Sequence, residues 1–248
     1  RGFGKFGLAA DYSPVRFGVA VTTPSFDITG DGEVTSDLTA TDILIDGELT
    51  SFTGNDRQES LDAEIRSPFS VSFGAEYDIE ASGTTLAFSG EYFAERDPYN
   101  VMTPENRPFF RPSGIDFGIT SRELLQVYAS GSDVVNFALA VEQELNEKWT
   151  GYLSVRVDQS THEDLDIEGY DVAALDVDLY HVVLGASYKG ERSETAFGLQ
   201  YSFGSEDDID QVTDFDSADE SNFFGGEDRE SELDFNALTL LLGYTYFF

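Results

Sequence analysis

Large apolar side chains recur at every second position along most of this chain. Phe6, Leu8, Ala10 and Tyr12 alternate with Gly7, Ala9 and Asp11, and Val15, Phe17, Val19 and Val21 with Arg16, Gly18, Ala20 and Thr22. The same period returns in Phe69–Tyr77, Leu86–Tyr92, Val135–Glu142, Trp149–Asp158, Tyr180–Tyr188, Thr195–Phe203 and Leu238–Phe248. A period of two places successive side chains on opposite faces, so each segment reads as a strand. Nine strands are therefore predicted. Ser121–Val127 and Asp133–Glu144 also admit a helical reading, although the second alternates better than it turns.

The connections alternate in length. Short links fall at Ser13-Pro14, Glu80–Thr84, Asn146–Lys148 and Gly190–Ser193; long ones span 28–59, 96–131, 161–175 and 205–233. Short turns on one side and long loops on the other are the layout of a bacterial outer-membrane barrel. The long links carry much of the acid: Glu206–Asp234 holds thirteen carboxylates and one basic residue, Arg229. The expectation is an all-β, antiparallel transmembrane β-barrel forming one domain over 1–248, with at least nine strands and acidic external loops.

A soluble β-sandwich also alternates. It would turn Lys, Glu and Thr outward in numbers, whereas here the face opposite the bulky one is mostly Gly, Ala, Ser and Thr. That is the composition of a barrel interior, and it leaves Phe, Tyr, Leu and Val for lipid. Tyr12, Phe26, Tyr77, Tyr92, Trp149, Tyr188, Phe203 and Tyr244 fall at segment ends, as interfacial aromatic girdles do. The chain closes on Tyr246 and Phe248, which reads as an assembly signal of outer-membrane barrels. A small closed barrel of eight or ten strands with a filled core is a further alternative.

Composition narrows the function. With 14 Lys+Arg against 48 Asp+Glu the formal charge is −34, and phosphate backbones need clustered cations, so nucleic-acid binding is excluded. Cysteine is absent, which removes disulfides, thiolate metal sites and thiol nucleophiles. No run of about 18 apolar residues offers a membrane-spanning helix. Arg1-Gly2-Phe3-Gly4 is not the core of an export signal, so a leader is expected to have been removed or to lie upstream.

Several segments resemble the FadL-type outer-membrane transport family. Arg16–Ser25 is similar to that family's strand ending in Thr-Pro, and Ser67–Tyr77 to its Pro-x-x-x-x-x-Gly-x-x-Tyr strand. Val134–Phe137 through Asn146–Trp149 is similar to its strand–turn–strand unit, and Val155–Asp158 to the end of that unit. The resemblance implies a fourteen-stranded barrel with an N-terminal plug, passing fatty acids or other hydrophobic compounds. Plug and first strands have no match here, and nine strands is odd where closed bacterial barrels are even. This chain is then expected to be the C-terminal portion of a longer protein, unless one strand within Asp116–Gly131 escapes the pattern. No ligand-binding residue transfers from the resemblance.

Candidate chemistry is sparse. Arg16, Glu76, Glu91, Glu142, Arg156, Asp158 and His181 all fall on the small-residue face, so they are expected to line the lumen as a salt-bridge network or a polar gate. His181 is read as a structural hydrogen-bonder and His162 as a solvated loop residue. Asp27–Glu33 looks like a calcium loop, but Leu38 stands where the bidentate Glu belongs, so the EF-hand reading fails. No Ser stands in a nucleophile-elbow context and no His pair has metal spacing, and the expectation is a protein that is not an enzyme and holds no metal or cofactor. The function expected is passive transport of hydrophobic small molecules, such as fatty acids, through the outer membrane, with outer-membrane lipid as its surroundings. The alternative is a non-transporting barrel that anchors or docks surface proteins through its acidic loops.

Overall fold

The computed structural model describes residues 1–45, 48–111, 120–162, 170–171, 176–210 and 230–248. In chain order the strands are β1 (Lys5–Tyr12), β2 (Val15–Thr22), β3 (Asp31–Ile45), β4 (Glu48–Asp62), β5 (Ser70–Ile79), β6 (Thr84–Phe93), β7 (Arg96–Met102) and β8 (Phe110–Arg111). A short helix, α1 (Ser121–Leu125), precedes β9 (Val127–Gly131), β10 (Val134–Glu144), β11 (Trp149–Asp158), β12 (Tyr170–Asp171), β13 (Leu179–Lys189), β14 (Ser193–Asp210) and β15 (Glu230–Tyr246).

Nine of these strands form one antiparallel sheet in the order β1-β2-β5-β6-β10-β11-β13-β14-β15. They are the nine that alternation marks. The sheet is open: β1 and β15 are its two edges. Its bulky face stays exposed, with Leu8 at 79%, Leu184 at 66% and Leu242 at 75% of full accessibility. Among the described residues no second layer covers it, as one would in a sandwich.

The register carries a regular stagger. One hydrogen-bonded row crosses the sheet through Tyr12, Val15, Tyr77, Leu86, Val141, Leu153, Leu184, Leu199 and Leu240. Hairpin partners on this row are 3 (Tyr12, Val15), 9 (Tyr77, Leu86), 12 (Val141, Leu153) and 15 (Leu184, Leu199) residues apart. Half of each separation is the distance to the turn, so the turns recede about one residue per strand. With a rise of ~3.3 Å and a strand spacing of ~4.8 Å, the strands lean about 35° from the normal to the plane of the turns.

The long connections are largely strand themselves. β3 and β4 form a hairpin joined by β8, while β7, β9 and β12 form a second three-stranded sheet. An Ala63–Met102 bridge links the two. Here the chain does build cores: Tyr99, Val101 and Ala129 pack together, and Val34, Phe52, Phe109 and Leu125 are also buried. Phe109 lies against Gly54, where a Cβ would run into its ring. Gln58 is buried by reciprocal bonds, donating from Nε2 to the Glu105 carbonyl (2.9 Å) and accepting from the Glu105 N–H (2.6 Å). α1 opens on a capping box of Thr120 and Glu123. The residues read as helix or strand thus divide: Ser121–Leu125 is helical, and Val134–Glu144 is β10. The strand found within 116–131 is β9, and it pairs outside the nine-stranded sheet.

Candidate functional site: the small-residue face of the sheet

Strict alternation in nine paired strands puts Gly, Ala, Ser and Thr on one face. Arg16, Glu76, Glu91, Glu142, Arg156, Asp158 and His181 stand on that same face by register, as their alternation requires. They gather in two groups.

The first group lies towards the short turns. One row reads Asp11, Arg16, Glu76, Ala87 and Ala140 across five strands. Arg16 Nε is 2.9 Å from Glu76 Oε2, and its Nη2 is 3.0 Å from Asp78 Oδ1. Thr85 Oγ1 donates to the same Asp78 oxygen at 2.8 Å. Glu142 sits one pleat below, opposite Thr85 and Tyr152. Beside this group is a trough of about 590 Å³, floored by Ala9, Gly18, Gly74, Ala87, Ala138 and Ala140, with Arg16 at one end.

The second group lies towards the long connections. Arg156, His181 and Ser202 are register partners on β11, β13 and β14. Arg156 Nε is 2.7 Å from Asp158 Oδ1. His181 Nε2 lies 3.2 Å from Asp158 Oδ2, close but off the alignment of a hydrogen bond, while His181 Nδ1 is 2.7 Å from Ser202 Oγ. Asp, His and Ser in contact is the order of a hydrolase relay. Here Ser202 is only 4% exposed, and its oxygen already accepts from Gln200 Nε2 at 3.0 Å. The hydroxyl is spent within the sheet, and the group locks three strands together. Glu91 accepts from Ser70 Oγ at 3.2 Å.

No protein-family model and no curated protein matches the chain.

Alternation places Asp11, Ser202 and Gln200 on this face, though they are not named among the candidate residues, and Asp78 is left out. All four share the parity of the named residues; their pairings needed the register. His162 lies just past β11, where its N–H donates to Ser160 Oγ at 3.0 Å, and its neighbours Glu163 and Asp164 fall outside the described residues. Asp27–Glu33 is no loop closed around an ion, since Asp31 already belongs to β3 and pairs with Asp62. Among the described residues no three His, Asp or Glu side chains are grouped to hold a metal. Of the C-terminal pair, Tyr246 ends β15, and its ring meets Phe248 edge-on at 5.2 Å. Much of the acidic 205–233 connection lies outside the described residues; its ends extend β14 and β15.

Proposed function

We propose that the nine-stranded sheet is the wall of a bacterial outer-membrane β-barrel, and that its small-residue face lines a conduit for passive movement of hydrophobic small molecules. The observation that carries this is the uncovered bulky face. Leaving Leu, Phe and Val unburied on nine strands is costly in water, at about 1.5–3 kcal/mol for each large side chain, and costs little in lipid. Where the chain leaves the sheet it buries apolar residues in the ordinary way. Two environments, one apolar and one aqueous, account for both behaviours.

Further features support the reading. The lean of about 35° lies at the edge of the 35–45° range of transmembrane barrels. Tyr12, Tyr77, Trp149, Tyr188, Tyr244 and Tyr246 form an outward aromatic row near the turns, and Phe69, Tyr92, Tyr180, Tyr201 and Phe203 form another near the long connections. From Trp149 to Val157 the outward face runs roughly 26 Å along the strand, or about 22 Å along the barrel axis, close to the ~25 Å apolar band of such barrels. The two unpaired edges call for further strands, consistent with the fourteen-stranded FadL-type plan. Because β1 and β15 run in the same direction, antiparallel closure takes an odd number of them. The trough offers an apolar body Ala and Gly to lie against.

The docking alternative draws on one observation: the β3–β4 and β7–β9 sheets have cores of their own and are more than tethers. Vesicle uptake separates the two. Protein reconstituted into liposomes should admit a fluorescent hydrophobic solute faster than protein-free vesicles. Equal rates with correctly inserted protein reject the conduit and leave the anchor.

A further inference from the structure

The charge on the small-residue face narrows what such a conduit would pass. Carboxylates outnumber cations there. Asp11, Glu76, Asp78, Glu91, Glu142 and Asp158 stand against Arg16 and Arg156. Adding the residues near the strand ends, Lys5, Lys189, Glu144, Glu194 and Glu206, leaves nine carboxylates against four basic groups.

Both arginines are already engaged. Arg16 spends Nε and Nη2 on Glu76 and Asp78, at 2.9 and 3.0 Å, and Arg156 spends Nε on Asp158 at 2.7 Å. An incoming carboxylate would have to compete with carboxylates fixed two residues or one strand away. Asp11, Glu91 and Glu142, by contrast, form no ion pair among the described residues. Asp11 lines the trough beside Arg16, its register partner, and Glu142 stands on the next row, two residues beyond Ala140 of the trough floor, where it lines the adjoining hollow towards the turns. A solute lying on the Ala and Gly floor therefore brings its head group into surplus negative charge. Rings of Asp and Glu select cations in the same way, through fixed charge on a narrow wall.

We propose that this face favours neutral and cationic amphiphiles and disfavours carboxylates, with Asp11 and Glu142 as the residues that set the preference. The proposal rests on the conduit reading above and departs from its fatty-acid example.

The test uses the full protein in liposomes of zwitterionic lipid. Three fluorescent solutes share one apolar body and carry trimethylammonium, hydroxyl or carboxylate. Uptake, corrected for protein-free vesicles, should rank ammonium and hydroxyl above carboxylate. The Asp11→Asn, Glu142→Gln double variant keeps both arginine pairs and should raise carboxylate uptake towards that of the alcohol. In molar salt the three rates should converge in the unaltered protein, because screening shortens the reach of fixed charge; this reading does not depend on a variant folding. Carboxylate uptake equal to or faster than the others overturns the proposal while the conduit stands. So does a ranking indifferent to both the double variant and salt. Uptake of none of the three above protein-free vesicles removes the conduit, and this proposal with it.

Discussion

Arg16 and Glu76 face each other across the β2–β5 seam, one pair in a row of register partners, with Nε 2.9 Å from Oε2. About half of each side chain is exposed, at 45% and 47%. A pair this wet is worth little on its own: about 0.2–1 kcal/mol in a double-mutant cycle. Arg16→Met, Glu76→Gln and the double variant, unfolded in urea from lipid vesicles, should give a coupling within that range. Three kcal/mol or more would mean a dry, packed interior and would remove the wetted face on which the conduit depends.

The nine-stranded sheet was legible because large apolar side chains hold one face on all nine strands, which imposes a period of two with few exceptions. Within the sheet, Arg16 or His181 could be assigned a face from parity alone. Their partners could not, since Arg16 and Asp78 are brought together by a β2–β5 pairing that skips the whole β3–β4 hairpin. That hairpin itself left little trace. In Thr35–Thr41 the half-buried face holds only Ser36, Leu38 and Ala40, a register shift between Ala40 and Ile43 breaks the parity, and one of the hairpin's buried positions is Gln58, held by hydrogen bonds and not by apolarity. Closure is a property of curvature and of edge partners, and alternation encodes neither.

Leu240 and Thr239 are neighbours on β15 with opposite surroundings. Leu240 stands on the bulky face and is 67% exposed, whereas Thr239 pairs with Gln200 on the small-residue face. An arginine near the bilayer midplane on a lipid face costs about 2–4 kcal/mol. Leu240→Arg should lower the unfolding free energy measured by urea titration in lipid by that amount, with a lower midpoint, and Thr239→Arg by much less. Equal midpoints would mean that both faces meet the same medium.

The cores of the long connections should fail independently of the sheet. Phe109 is 2% exposed and packs edge-on to Phe110 at 5.1 Å, above Gly54. Phe109→Ala should cost this region about 3–5 kcal/mol. Limited proteolysis should then cut within 48–111 at much lower protease concentration, while the gel mobility of the folded sheet in detergent stays unchanged. Loss of both together would mean one cooperative unit.

The start of α1 should loosen in acid. Glu123 accepts from the Thr120 N–H at 2.6 Å and from Thr120 Oγ1 at 2.9 Å. Chiefly the backbone bond, then the side-chain one, holds its carboxyl below the ordinary range. A depressed folded value contributes stability that is present above the unfolded pKa, about 4.3, and is lost as pH falls through the lower folded one. Amide exchange over 121–126, corrected for intrinsic rates, should therefore quicken between about pH 4 and the folded value. In Glu123→Gln that acid step should vanish. A step of equal size in the variant would assign it to another carboxylate.

Trp149 is the chain's one tryptophan, so its fluorescence reports a single depth. It opens β11 at the turn end of the bulky face, at 37% exposure, with Tyr188 at 5.1 Å and Phe197 at 6.0 Å between ring centroids. An amphipathic ring at a strand end belongs at the head-group level of a bilayer, with its N–H towards water and its body against the acyl boundary. Vesicles made with lipids brominated at successive acyl positions should quench Trp149 most when the bromine is nearest the head group, and progressively less towards the chain ends. Moving the tryptophan up the same face, as Trp149→Phe with Val155→Trp, should shift the maximum towards the bilayer centre, because six residues of rise at a lean of about 35° correspond to about 16 Å along the normal. The two positions share a face and differ only in depth, so the direction of the shift tests the orientation and the lean of the strands together. Quenching that is absent for both would place the bulky face outside lipid. Quenching that is equal for both at every bromine position would mean strands lying in the plane of the membrane instead of crossing it.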